Sequence, residues 1–374
     1  VKRWLVDRGG LLGLSAAIVY IAIASPTIAD GDSAEFVTLG HVGGVAHPSG
    51  YPLYLLLLRA TAWMPASTPA STAAIVTALV AAGQIMMLQA ACRAWGARPT
   101  AATLAAGIYA GAPIVMRIHS EAEVFALNGL VVATILWLAA KDGPVHGRAR
   151  AIALAVVAGL GMANHMSCTI LAPIGVLGLV RGVRESTARP ATVVFSIAAF
   201  AIGLAPYLYL VATSGSMAAW GPVGSLDDVV GMITRRDYGG VGSFAAIGGD
   251  TTAIHNLAAF AVTLGRTWLW IPALAGPVFI VVNIARTRDR LGWTTLAVSW
   301  LIAGPILVAS FNIPPEQLGL YICQRFYLLP ALLLAIPIAM AFDAALARWT
   351  LPALVDWVAP MAFVVAAVSS LPFV

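Results

Sequence analysis

The sequence predicts an all-α, polytopic transmembrane helical bundle with folded outer loops. Three observations lead there: 60% of the 374 residues are apolar, only 10% are charged, and apolar stretches about a bilayer long recur from end to end. A soluble fold carries charge on roughly a quarter of its residues, so an ordinary globular class is excluded, in line with a mean hydropathy of +0.90. Inside a bilayer no water satisfies backbone groups, which leaves helices and closed barrels as the spanning structures. The runs are continuous rather than alternating, and this excludes a barrel. The formal charge of +5 is spread over short loops, so nucleic acid is not an expected partner. Three cysteines show neither CxxC nor metal-ligand spacing.

The N-terminal basic head before LLGLSAAIVYIAIASPTIA has signal-peptide character, but the rest of the chain is all spans, and it is read as an uncleaved first helix. Hydropathy over a window of about 19 residues then places eleven expected spans: 11–29, 71–92, 100–116, 123–140, 150–164, 166–180, 191–211, 257–284, 291–310, 327–344 and 351–372. The apolar segment 51–64 covers only about two thirds of a bilayer, so an interfacial or re-entrant helix is expected there. Basic residues test this list. Fifteen of the 21 fall in alternate short loops, from Lys2, Arg3 and Arg8 through Lys141, Arg148 and Arg150 to Arg286, Arg288, Arg290 and Arg348. Those loops are expected to be cytoplasmic. The opposite face holds Arg59, Arg117, Arg235, Arg236, Arg266 and Arg325 with ten of the sixteen acids, and it also has the long connections 30–70 and 212–256. Long loops in a compact protein are functional or disordered. These two lack the composition of disorder, so they are expected to fold against the outer mouth of a single domain, 1–374.

The first outer loop opens with Asp30, Asp32 and Glu35 within six residues of a membrane exit, a costly arrangement unless the acids are solvated, paired or used. Asp32 and Glu35, three apart, share a face if a helix starts at Ser33, with Asp32 as a possible N-cap. The same loop supplies His41, His47 and the rigid turn AHPSGYPL around Tyr51.

The runs GDSAEF and AHPSGYPL resemble the GDSGE and AHPPGYPL signature of a family in the GT-C glycosyltransferase superfamily, the protein O-mannosyltransferase-like proteins related to the vertebrate enzymes that act on IPT domains of plexin-type receptors. EAEVFALN at 121–128, GLGMANH at 159–165, AAWGPVGSLDDVVGMITRRDYGG at 218–240 and QRFYLLP at 324–330 extend the likeness in the same order, while Ala34 and Ser49 depart from the usual Gly and Pro. The resemblance implies a GT-C-like fold and inverting transfer of a sugar, mannose first, from a polyprenyl-phosphate donor in the membrane to an acceptor hydroxyl. Ser or Thr of an exported protein is the first acceptor; a glycan or lipid acceptor stays open. It implies a multi-pass protein of a bacterial inner membrane, active on the periplasmic face, with a cytoplasmic N-terminus.

Within that frame Asp32 matches the family aspartate and is expected to be the catalytic base, with Glu35 orienting acceptor or sugar hydroxyls. Expected substrate contacts are His47, Tyr51, Glu123, Asn128, His165, Arg235, Arg236, Tyr238 and Arg325. Arg235 and Arg325 suit a phosphate because a guanidinium is a planar bidentate clamp. Arg236 stands where the family often has an acid, and Tyr238 also fits a loop brace. Glu123 fits helix-dipole stabilisation as well, and His165 fits a packed, hydrogen-bonded histidine. No His pair has zinc spacing. No cofactor is expected; Mg²⁺ on the first-loop acids is the weaker option. The alternative from another class is a secondary transporter, against which the centres of the expected spans are nearly free of charge.

Overall fold

The computed structural model describes residues 8–240 and 253–347. The expected span 351–372, Lys2, Arg3, Arg348, Asp250 and the end of the second long loop lie outside them. In chain order the helices are α1 (Arg8–Ala22), α2 (Ser33–Val42), α3 (Pro52–Thr61), α4 (Pro69–Ala94), α5 (Pro99–Ala110), α6 (Pro113–His119), α7 (Phe125–Ala139), α8 (Gly147–Asn164), α9 (Ala172–Glu185), α10 (Arg189–Gly203), α11 (Leu208–Thr213), α12 (Leu226–Thr234), α13 (Ala253–Thr267), α14 (Ile271–Arg286), α15 (Arg290–Leu301), α16 (Leu307–Ala309) and α17 (Gln317–Leu346). No strand occurs among the described residues.

Helix α4 packs on α1 and α7, α8 on α9 and α10, and α17 on α5 and α14. Lipid is as apolar as a side chain, so helices in a bilayer associate through close packing of small residues. At the α8–α10 contact a methyl group on Gly159 would meet the Phe200 carbonyl oxygen at 2.5 Å, and one on Gly203 would meet that of Val156 at 2.5 Å. Helix α17 has 30 residues, about 45 Å at 1.5 Å per residue, against a hydrocarbon core of about 30 Å. It is therefore long enough to extend past the core, and its first turns carry Tyr321 and Arg325.

The eleven-span expectation needs correcting in detail. Among the described residues five helices are long and apolar enough to cross a bilayer alone, or seven spans if each sharply bent pair is one. The stretch 100–116 is two helices, α5 and α6, bent by 70°, and α7 is only 15 residues long. The stretch 257–284 is not a single straight helix either: α13 and α14 meet at 101°. Leu269 and Trp270 turn the chain there with φ of 55° and 61°, and Trp268 is pinned inside by donating Nε1–H to the Ala331 carbonyl at 3.2 Å. A window average of hydropathy is blind to such a corner, because every residue through it is apolar. The segment 51–64 does form a short helix, α3, against α2 and α4.

The two long outer connections fold onto each other. Trp220 N–H donates to the Val45 carbonyl at 2.8 Å, Thr213 Oγ1 to that of Gly44 at 3.1 Å, and Ser216 Oγ to that of Gly43 at 3.2 Å. Within the second, Ser225 and Asp228 form a reciprocal capping box that starts α12.

Candidate active site

Asp32 sits at the N-cap position of α2 but makes no capping hydrogen bond. Its Oδ2 instead accepts from Arg325 Nη1 at 2.9 Å, and the same Nη1 donates to Glu123 Oε1 at 2.7 Å. One guanidinium thus holds two carboxylates from segments 91 residues apart in sequence. Gly31 makes the approach possible: its φ is +73°, and a methyl group there would lie 3.0 Å from Arg325 Nη1. Asp32 is 34% exposed at its side chain, Arg325 6% and Glu123 0%. Only the aspartate of this trio is offered to solvent. Burial pushes the Glu123 carboxyl up to about 7 against the opposing pull of Arg325.

A second trio runs beside the first. Arg117 lies 3.6 Å from Asp30 and donates Nε–H to Glu121 Oε1 at 3.3 Å. Tyr321, one turn before Arg325, donates its hydroxyl to Glu121 Oε2 at 2.5 Å. Its ring carries the Arg117 guanidinium at 4.5 Å and that of Arg325 at 5.4 Å. The acids two apart in ADGD and EAE therefore serve two arginines side by side.

Glu35 points into a separate arm. Its Oε1 accepts from the His47 backbone N–H at 2.8 Å and its Oε2 pairs with His47 Nδ1 at 2.5 Å, while Tyr51 OH lies 2.9 Å from His47 Nε2. Tyr51 holds the left-handed region at φ 46°, and its ring packs on Phe36 and near His165. With Nδ1–H directed at the carboxylate, Nε2 accepts a hydrogen bond from the Tyr51 hydroxyl. The first-loop acids are thus each engaged by a different cation or imidazole, Asp30 by Arg117, Asp32 by Arg325 and Glu35 by His47. Among the described residues no group of three His, Cys, Asp or Glu side chains could hold a metal ion, so the Mg²⁺ option has no convergent ligand set there.

The remaining expected residues divide into those facing this cluster and those supporting it. Arg235, at φ 56°, lies with its guanidinium 4.9 Å over the Tyr238 ring, and its buried Nε has no hydrogen-bond partner among the described residues. Arg236 turns away and makes a bidentate pair with Asp227 at 2.8 and 2.9 Å, so it braces α12 where a substrate contact was expected. Asn128 is buried and donates to Ser167 Oγ at 3.1 Å, and Ser167 in turn bonds His165 Nδ1 at 2.8 Å. Asn128 orients His165 through Ser167. Because Nδ1 also accepts from the Ser167 backbone N–H at 3.1 Å, the neutral imidazole carries its proton on Nε2. Burial, with Arg235 and Arg325 nearby, pushes His165 down to about 3 and keeps it neutral.

Sequence reasoning passed over Arg117, Glu121 and Tyr321 as site components and weighed Asp30 only among the first-loop acids. The available signal was the outer location of these charges; their pairing needed α6 and α17 brought together.

The chain is similar to known proteins in sequence and in fold. Residues 32–188 match the family described as Protein O-mannosyl-transferase TMEM260 N-terminal domain. The Dictyostelium discoideum protein O-mannosyl-transferase tmem260 is 22% identical over 89% of this chain and 44% of its own length. Protein O-mannosyl-transferase TMEM260 of Mus musculus is 28% identical over 60% of this chain and 33% of its own. The chain thus spans less than half the length of these curated relatives. Among solved structures, that of ArnT from Cupriavidus metallidurans bound to undecaprenyl phosphate has a TM-score of 0.59 at 14% identity, covering 99% of this chain and 70% of that one. The fold is thus similar to that of ArnT, and residues 32–188 are similar to the O-mannosyl-transferase TMEM260 N-terminal domain.

Proposed function

We propose that this integral membrane protein, GT-C-like in fold and O-mannosyltransferase-like over residues 32–188, transfers a hexose from a polyprenyl-phosphate donor to a hydroxyl of an exported polypeptide. The observation that carries the reading is the trio Asp32, Arg325 and Glu123, in which the one solvent-accessible carboxylate is held in place by a buried arginine at the outer end of α17. Asp32 takes the proton of the acceptor hydroxyl as its oxygen forms a bond to the anomeric carbon. The bond from that carbon to the phosphate oxygen breaks, and its electron pair leaves on the lipid phosphate. Arg235 stabilises the charge that develops there, with the neutral His165 Nε2–H as a further donor. Arg325 holds both carboxylates through the single Nη1 and so sets the position of Asp32, while its buried Nε has no hydrogen-bond partner among the described residues. Mannose is the proposed sugar. The purified protein, incubated with radiolabelled polyprenyl-phosphate sugars and membrane extract, is expected to move label from the mannosyl donor into protease-sensitive material. Label recovered only in lipid or polysaccharide would replace the acceptor, and no transfer from any donor would remove the enzyme reading.

The proposed site of action is the periplasmic face of a bacterial inner membrane, with the basic loops cytoplasmic. Cys92, Cys168 and Cys323 are all buried, so single exposed cysteines can be read against a quiet background. In intact cells Met217→Cys, at a fully exposed site on the second outer loop, is expected to react with an impermeant maleimide, and Ala285→Cys, at the other end of α14, is expected to stay protected. The opposite pattern inverts the orientation.

A further inference from the structure

We propose that the indole face of Trp220 is the platform on which the hexose of the donor lies, a specificity contact that rests on the transferase reading above. Trp220 is 52% exposed yet fixed at both ends: its backbone N–H donates to Val45 O at 2.8 Å, and its Nε1–H to Asp237 Oδ2 at 3.1 Å. An indole held this way has little rotamer freedom left to lose on binding. It also differs from a membrane-interface anchor, whose N–H is left for lipid or water.

Its neighbours fix what it faces. The His47 ring lies 6.0 Å away at 61°, bonded through Nδ1 to Glu35. The Tyr238 ring lies 6.3 Å away at 32° and carries the Arg235 guanidinium at 4.9 Å. The half-exposed indole thus neighbours both the histidine that holds a carboxylate and the tyrosine that carries a guanidinium. A glycosyl phosphate asks for these three together: an acceptor for its sugar hydroxyls, a flat apolar face for the pyranose ring and a cation for the phosphate. The C–H bonds on one face of a pyranose are weakly positive and the indole face is negative, so the ring settles there with its hydroxyls directed to the polar rim. The buried Nε of Arg235, without a hydrogen-bond partner among the described residues, is the donor proposed for the phosphate.

The test uses hydroxyl-radical footprinting of the wild-type protein, read by mass spectrometry, with polyprenyl-phosphate mannose and with bare polyprenyl phosphate of the same chain length. Saturating mannosyl donor is expected to lower oxidation of Trp220 by about fivefold or more by occupancy alone, with no protection by the bare carrier and none at Trp63, which is 79% exposed. Trp220→Leu is expected to raise the KM for the mannosyl donor about tenfold, or ~1.4 kcal/mol, with a smaller change in kcat, while Trp220→Phe restores most of the loss and neither alters affinity for the bare carrier. Equal protection by both lipids, or no protection while the mannosyl donor binds, overturns the platform and leaves the transferase reading standing. A protein that binds no polyprenyl-phosphate sugar overturns that reading, and the platform with it.

Discussion

Asp32→Asn is expected to lower transfer by about 10² to 10⁴-fold, the range for loss of a general base, with donor affinity and thermal stability little changed. The amide keeps the shape of the carboxylate, and its oxygen can still accept from Arg325 Nη1, which lies 2.9 Å from Oδ2. It loses the basic lone pair and the negative charge. Glu123 stays to balance the guanidinium, so the substitution does not strand a buried cation. Single-turnover transfer with bound donor separates chemistry from binding. A variant that keeps more than about a tenth of wild-type turnover, a loss too small for a general base, moves that role to Glu35, whose carboxylate is tied to His47 and lies 26% exposed.

The second large effect is expected at Arg325. Removing one partner of a buried ion pair costs about 3–5 kcal/mol, because the other charge is left uncompensated. Arg325→Ala leaves Glu123 at 0% exposure with its Oε1 contact gone, and a carboxyl already pushed up to about 7 by burial then takes a proton. Stability in detergent should fall markedly, and transfer with it, since Asp32 loses the group that orients it. Adding Glu123→Gln to Arg325→Ala should recover part of the stability and none of the activity. That split distinguishes a role in holding Asp32 from a role in holding the fold. An Arg325→Ala protein with wild-type thermal midpoint and rate would remove the trio from the site.

Local signals in the sequence reached the first outer segment in detail. Ser33 does begin a helix, α2, and the AHPSGYPL turn does place Tyr51 at its end, because proline and glycine act on their own neighbours whatever else the chain does. Spacing alone offered Asp32 as a cap, since it can say only that a carboxylate stands before a helix, and the base role came from the resemblance. Which partner it prefers depended on an arginine 293 residues away. Arg236 and Asn128 show the same limit. Each stands in a motif of the expected type, but spacing could not show that Asp227 pairs with the first and Ser167 with the second.

By itself the sequence determined the class, an α-helical membrane protein with its acids gathered on the face opposite its basic loops, because bilayer solvation acts on composition over whole spans and needs no knowledge of neighbours. Only the tertiary structure decided where a span breaks, as at Leu269 and Trp270, and which charges meet. Both outcomes come from contacts between distant segments. The buried Arg325 joins Asp32 to Glu123 because α17 brings it past the ends of α2 and α7, and in that low-dielectric setting an unpaired charge costs more than any local preference can offset.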